Sequence, residues 1–260
     1  MRTYNCIEKH FGGGLLRVTY MRFFRYKNKE GIRVLKDRQK LKEGTKERLD
    51  SINRSYRQVK DKVWSFAYSN EWEWFVTLTF DKSKVDRFNY TACISLLRSV
   101  LKQYKRDNKD FEYLVVPEQH KNGAWHFHGL FKSLALSEFK YSKHLDKAGR
   151  KIYNIRVLAD KLGHTTAARV DTRGQAAGYL VKYINKDLMA SEYVRGRPKY
   201  IASRGLDKSI TSYSNQPPDY IKGLIKENDL ITIKALEVTK PEYTNEFTWA
   251  LFAQSQAILT

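Results

Sequence analysis

Glu112–Phe131 reads EYLVVPEQHKNGAWHFHGLF. Its opening, Glu112–Glu118, is a β-branched and aliphatic run of strand length. Pro117 has no N–H to give to a ladder, so an irregular end or a sheet edge is expected there. Asn122-Gly123 is a hairpin-turn dipeptide, because both residues tolerate the positive φ that tight turns require. Ala124–Phe131 then returns as a second strand. Strands joined this closely pair antiparallel, since a parallel pair needs a crossover of a dozen or more residues. The hairpin decides the fold class: α+β, with a single antiparallel sheet and helices packed on it.

The flanking segments fit that frame. Trp72–Phe80 (WEWFVTLTF) is a β-branched and aromatic run, with Thr77 and Thr79 on one face and Val76, Leu78 and Phe80 on the other. Asn89–Lys105 predicts a helix whose apolar stripe is Cys93, Leu96, Leu97, Val100, Leu101 and Tyr104. A charged helix is expected from Thr45 to Tyr68, broken at Asn70 and Glu71. Leu15–Tyr26 reads as a half-buried strand and Ala167–Asp171 as a short one. Gln175–Met189 reads as one helix running through Gly178. Pro218–Lys226 suggests a helix and Leu230–Val238 a strand, while the last twenty residues carry no clear pattern.

The chain has 260 residues, enough for one large domain or two small ones, and 42% of them are hydrophobic. Lys and Arg number 48 against 28 Asp and Glu, a net charge of +20. An excess of that size points to a polyanionic partner, most often nucleic acid. Two cysteines, Cys6 and Cys93, exclude a disulfide framework and a four-thiolate zinc site, and suggest reduced thiols in a cytosolic protein. No apolar run approaches membrane-spanning length, and the N-terminus has no signal-peptide core. No Gly-x-x-x-x-Gly-Lys-Ser/Thr loop is present, so nothing suggests NTP hydrolysis.

Two clusters carry chemistry. His126 and His128 are two apart on a predicted strand, so both imidazoles leave one face while Trp125, Phe127 and Gly129 take the other. The hairpin brings Glu118 beside them. Two imidazoles and a carboxylate, with positions left open, suit magnesium or manganese, and His120 near the turn competes for the third place. The second cluster is Gly178–Asp187 (GYLVKYINKD). On a continuous helix Tyr179 and Tyr183 share a face, as do Lys182 and Lys186. Each tyrosine then has a cation one turn away, which favours the phenolate, a competent nucleophile towards phosphorus.

In order, Phe75-Val76-Thr77-Leu78-Thr79-Phe80, then Glu118 with His126-Phe127-His128, then Tyr179-Leu180-Val181-Lys182-Tyr183 resemble the three motifs of rolling-circle replication initiators, the HUH endonuclease (Rep) superfamily of phage and plasmid type. Ser203-Arg204-Gly205-Leu206 resembles a segment that follows the tyrosine helix in such proteins. The resemblance covers about residues 64–206. It implies an endonuclease domain there, an N-terminal extension over 1–63 and a C-terminal extension over 207–260. It also implies a central five-stranded antiparallel sheet with flanking helices, in an arrangement like that of RNA-recognition folds.

By that resemblance His126, His128 and Glu118 hold a divalent ion. Tyr179 is the first-choice nucleophile and Tyr183 a possible second, and Lys182 orients the phosphate or tunes the nucleophile, with Lys186 in the equivalent place after Tyr183. The implied activity is site-specific nicking and rejoining of single-stranded DNA at a replication origin through a 5′-phosphotyrosine, in the cytoplasm of a prokaryotic host. A host helicase is the expected partner, no membrane is involved, and the oligomeric state is left open. The basic runs Lys27–Lys46 and Arg195–Lys208 are candidates to grip adjacent duplex or hairpin, and Trp72, Trp74 and Trp125 are candidates to stack bases. Alternatives are an HUH transposase or relaxase, or a non-catalytic single-strand-binding module.

Overall fold

The computed structural model describes residues 2–27, 46–240 and 243–254. In chain order the elements are β1 (Arg2–Phe11), β2 (Leu15–Lys27), α1 (Lys46–Ser69), β3 (Trp74–Thr79), α2 (Tyr90–Asp107), β4 (Glu112–Gln119), β5 (Trp125–Lys132), β6 (Phe139–Leu145), β7 (Lys151–Ile155), α3 (Arg156–Leu162), β8 (Thr165–Arg169), α4 (Arg173–Val181), α5 (Lys186–Ala190), β9 (Ile201–Ala202), β10 (Ile210–Ser214), α6 (Tyr220–Glu227), β11 (Asp229–Lys240) and β12 (Tyr243–Ala253). They fall into two compact units: Leu41–Leu206, and the two chain ends, 1–40 with 207–260. Of the basic run Lys27–Lys46, all but its two end residues lie outside the described residues.

The expected hairpin is present. β4 and β5 pair antiparallel in unbroken register from Glu112↔Lys132 to Gln119↔Trp125. Gly123 takes φ +87° in the turn, where a side chain would be strained. The sheet of the Leu41–Leu206 unit runs β6-β7-β8-β3-β5-β4-β9, antiparallel throughout. β9 touches β4 only at Leu114 and Val115, so at Pro117 the strand is an edge and the missing N–H is harmless.

The α+β class holds, but the single sheet does not. There are two antiparallel sheets, one of seven strands and one of five. The two extra strands at one side of the larger sheet are β6 and β7, whose residues are mostly exposed and show no alternation. Their hairpin is set by turn chemistry instead. Asp146 Oδ1 accepts from the N–H groups of Ala148 (2.8 Å) and Arg150 (2.9 Å), and Arg150 Nε returns a bond to Asp146 Oδ2 at 2.7 Å.

α2 covers one face of the larger sheet. Asn89 caps it, its Oδ1 accepting from the N–H groups of Thr91 and Ala92. Tyr90 packs on Trp125 and Phe127, and Tyr104 packs on Phe111. These rings, with Leu97, Leu101 and Phe131, form a fully buried layer. Burying each such side chain contributes roughly 1.5–3 kcal/mol. Trp72, Trp74 and Trp125 are all buried, which corrects the expectation that they stack bases: their rings are spent on the interior.

One helix expected over Gln175–Met189 is two. α4 ends at Val181, and the N–H groups of Tyr183 and Ile184 bond three residues back, to Leu180 and Val181. Asn185 is extended and caps α5, its Oδ1 accepting from the Leu188 N–H at 2.7 Å. An asparagine followed by an acid in the first turn is a helix-start signal, and it outweighs the continuous apolar pattern.

The unit built from the chain ends has the strand order β10-β1-β2-β12-β11. Cys6, Leu16, Val18, Ala250 and Phe252 form its core with Ile221 and Leu224 of α6. Asn5 and Gln216 exchange two hydrogen bonds, at 2.8 and 2.7 Å. Cys6 and Cys93 are buried free thiols, and burial pushes each up to about 12, so neither is a reactive thiolate at neutral pH. Among the described residues no helix is long and apolar enough to cross a membrane.

Candidate functional site

The face of the larger sheet opposite α2 carries the predicted histidines. β3 and β5 are in register, with Thr77 opposite His128 and Thr79 opposite His126. Each threonine Oγ1 lies 3.1 Å from the Nδ1 of its histidine. Side-chain alternation on β3 puts Val76 and Leu78 into the core and both hydroxyls on the imidazole side. On the other flank of β5, Glu118 of β4 is opposite His126 and reaches diagonally to His128, Oε2 to Nε2, at 2.6 Å.

The ring nitrogens can be assigned from these contacts. An ionised carboxylate only accepts, so His128 Nε2 carries the proton in that bond. In the neutral ring Nδ1 then accepts from the Thr77 hydroxyl. The bond from His128 is the main reason the Glu118 carboxyl is held below its usual range, with the nearby histidine charges helping and partial burial opposing. Burial, then the charges of His120 and His128, push His126 down, so its imidazole is neutral near pH 7. His120 is exposed at the hairpin end, its ring 5.1 Å from that of His126.

This donor set fits a divalent ion in kind. Two imidazoles and a carboxylate share one face, and each imidazole has its Nδ1 engaged by a hydroxyl, which leaves Nε2 as the ligating atom. It is not a finished cage. Among the described residues no three His, Cys, Asp or Glu side chains already converge as an ion site. Glu118 instead bonds His128 directly.

The tyrosines lie on this same face. Tyr183 stacks flat on His128, with centroids 3.7 Å apart and planes at 11°. Tyr179 meets Phe75 edge-on at 4.5 Å and Tyr183 at 5.6 Å. The cation expected beside each phenol is elsewhere. Lys182 Nζ sits over the ring of Tyr179 at 3.2 Å and over that of Tyr183 at 5.3 Å, a cation–π placement rather than an ion pair with the hydroxyl. Lys186 opens α5 and does not follow Tyr183 by one helical turn. The Tyr183 phenol is pushed up, not down, by burial first, then by hydrogen bonding to Tyr179 and the charges of Tyr179 and Glu118.

Tyr179 is 44% exposed and borders a cleft of about 920 Å³. Phe75 and Thr77 line its floor. Arg169, Arg150 and Lys147 come from the strands and turn on one side, and Tyr179 and Lys182 from α4 on the other. Sequence reasoning passed over Arg150 and Lys147, because they belong to the turn between β6 and β7. Ser203 proves to be a clasp. It exchanges main-chain and side-chain bonds with Tyr113 and donates to Glu112, which ties β9 to β4.

No curated protein and no solved structure is matched by the chain. Residues 73–188 match the family model of the replication-associated proteins of the ORF2 type. The matched stretch runs from β3 through α5 and contains Thr77, Glu118, both histidines and both tyrosines. At the level this match reaches, the chain is similar to replication-associated proteins, and a role in replication, with nucleic acid as the partner, is supported.

Proposed function

We propose that this chain initiates replication by nicking and rejoining single-stranded DNA through a covalent tyrosine link. The observation that carries the reading is the stacking of Tyr183 on His128, with Tyr179 against it at the edge of the cleft. It brings two phenols to the imidazole–carboxylate face that a divalent cation would occupy. His126, His128 and Glu118 would hold that cation, magnesium or manganese, which when bound supplies Lewis-acid polarisation of the scissile phosphate.

The protein's own groups do the rest. The cleft beside Tyr179 takes the single strand, with Arg150, Arg169 and Lys182 towards its phosphates. The Tyr179 hydroxyl loses its proton and attacks phosphorus. The bond from phosphorus to the 3′-oxygen breaks, and that oxygen takes up a proton. The products are a 5′-phosphotyrosine and a free 3′-hydroxyl. Phosphodiester energy is retained in the link, so the reverse attack reseals the strand without ATP. Tyr183, one turn of chain later, is placed to serve as the second nucleophile when the first is occupied.

The test is adduct formation. Full-length protein is incubated with single-stranded DNA covering its own replicon, with manganese or with chelator, and separated under denaturing conditions. A covalent adduct is expected with manganese and none with chelator. Tyr179→Phe should lower it sharply, and the double variant with Tyr183→Phe should abolish it. Wild-type protein that forms no adduct on any strand of the replicon overturns the nuclease reading and leaves a binding module.

A further inference from the structure

A second cluster of cations lies in the Leu41–Leu206 unit, away from the histidine face in its residues. Arg48 sits in the first turn of α1, and Ser51 and Ser55 follow at helical spacing on the same side. Arg195, Arg197 and Lys199 come from the chain after α5. Together they line a pocket of about 320 Å³. A liquid water occupies roughly 30 Å³, so this is room for a hydrated phosphate group.

The cations are held in place. The Arg197 N–H bonds to the Val194 carbonyl at 3.1 Å, Gly196 makes the bend at φ +69°, and the Tyr90 hydroxyl donates to the Pro198 carbonyl. Glu192 answers two of them, reaching Arg48 at 3.7 Å and pairing with Arg195. Among the described residues no carboxylate lies within ion-pair distance of Arg197 or Lys199. Burial, then the charges of Arg197 and Arg48, push the Lys199 ammonium down to about 8. Like charges gathered in a half-buried pocket cost stability unless an anion enters, and two serine hydroxyls supply further donors for its oxygens.

We propose that this pocket, formed by Arg48, Arg195, Arg197 and Lys199 with Ser51 and Ser55, binds a backbone phosphate of the DNA substrate, as an anchor separate from the nicking site. The proposal rests on DNA being the substrate and not on cleavage by the tyrosines. It assigns to the start of the predicted basic run a built site rather than a diffuse charged face. Arg197 and Lys199 are binding residues here, with no part in bond breaking.

The experiment measures binding alone. Full-length protein, wild type and R197Q/K199Q, is titrated with a fluorescent single-stranded oligonucleotide over a salt series with chelator present. The double variant should bind at least about tenfold more weakly. Its plot of log affinity against log salt should be shallower by about 0.7 for each phosphate that the protein no longer neutralises. K199R should retain wild-type binding. K102Q/K109Q, which removes two exposed charges from α2 and the turn after it, should weaken binding less than R197Q/K199Q does.

Inorganic phosphate and chloride, matched for ionic strength, are then compared as competitors and in thermal melts. Equal affinity and slope for R197Q/K199Q and wild type overturn the proposal. So does phosphate-specific thermal protection of wild type that the variant lacks while DNA binding is unchanged, because the pocket would then serve free phosphate. A protein that forms no adduct but shows the slope change loses the nicking reading and keeps this one. Normal adduct with unchanged slope has the opposite meaning.

Discussion

Thr77 and Thr79 connect residue chemistry to the candidate site. A hydroxyl can donate or accept, so Thr77 suits both tautomers of His128. With Nε2 bonded to Glu118, the hydroxyl donates to Nδ1. With Nε2 given to a cation, Nδ1–H would donate to the hydroxyl. Valine has nearly the same shape and neither function. Under the proposed metal reading, Thr77→Val with Thr79→Val should weaken manganese binding about tenfold or more, the usual effect of losing partners behind metal ligands. Serine at both positions should restore it. Calorimetric titration gives the answer, and unchanged affinity in a folded valine variant removes the positioning role. The strand alternation that aims these side chains was legible in the sequence. The pairing of each hydroxyl with one particular imidazole was not, because it depends on the register between β3 and β5.

Among the elements, the end of β3 is the tightest joint. The Thr79 N–H bonds to the His164 carbonyl at 2.8 Å and the Asp81 N–H to the Leu162 carbonyl at 2.9 Å, so the end of α3 lies directly on the end of the strand. Gly163 makes that crossing at φ +138°, and a Cβ there would meet Asp81 N at 2.4 Å and Thr79 O at 2.6 Å. Both are backbone atoms and cannot swing away. Gly163→Ala should therefore destabilise the unit by about 3 kcal/mol or more, read from urea unfolding, through strain and overpacking together. A change under about 1 kcal/mol would mean the crossing is looser than the structure has it. Elements with strong periodicity, such as α2, or a turn dipeptide, as between β4 and β5, could be read in advance. β6 and β7 could not, because an exposed edge hairpin needs no alternation. The break between α4 and α5 was readable from Asn185, but an uninterrupted apolar pattern concealed it.

For the whole molecule, the Leu41–Leu206 unit is one continuous segment, and the other unit needs both chain ends. We expect a fragment of residues 41–206 to unfold in a single cooperative transition and, on the proposed function, to form the adduct by itself. Circular dichroism melts and the denaturing-gel assay check the two parts separately. A fragment without a cooperative transition would show that the unit depends on the chain ends. The sequence alone determined the antiparallel hairpin, the α+β class, the shared face of His126 and His128 and the basic character of the chain. All of these follow from short-range rules: turn stereochemistry, two-residue alternation and charge composition. Tertiary structure decided that there are two sheets, that Lys182 lies over rings rather than beside hydroxyls, that Tyr183 rests on His128, and that Arg48 meets Arg197 and Lys199 across about 150 residues of chain. Those outcomes depend on which distant segments pack together, and no local pattern encodes the distance between side chains that meet only after folding.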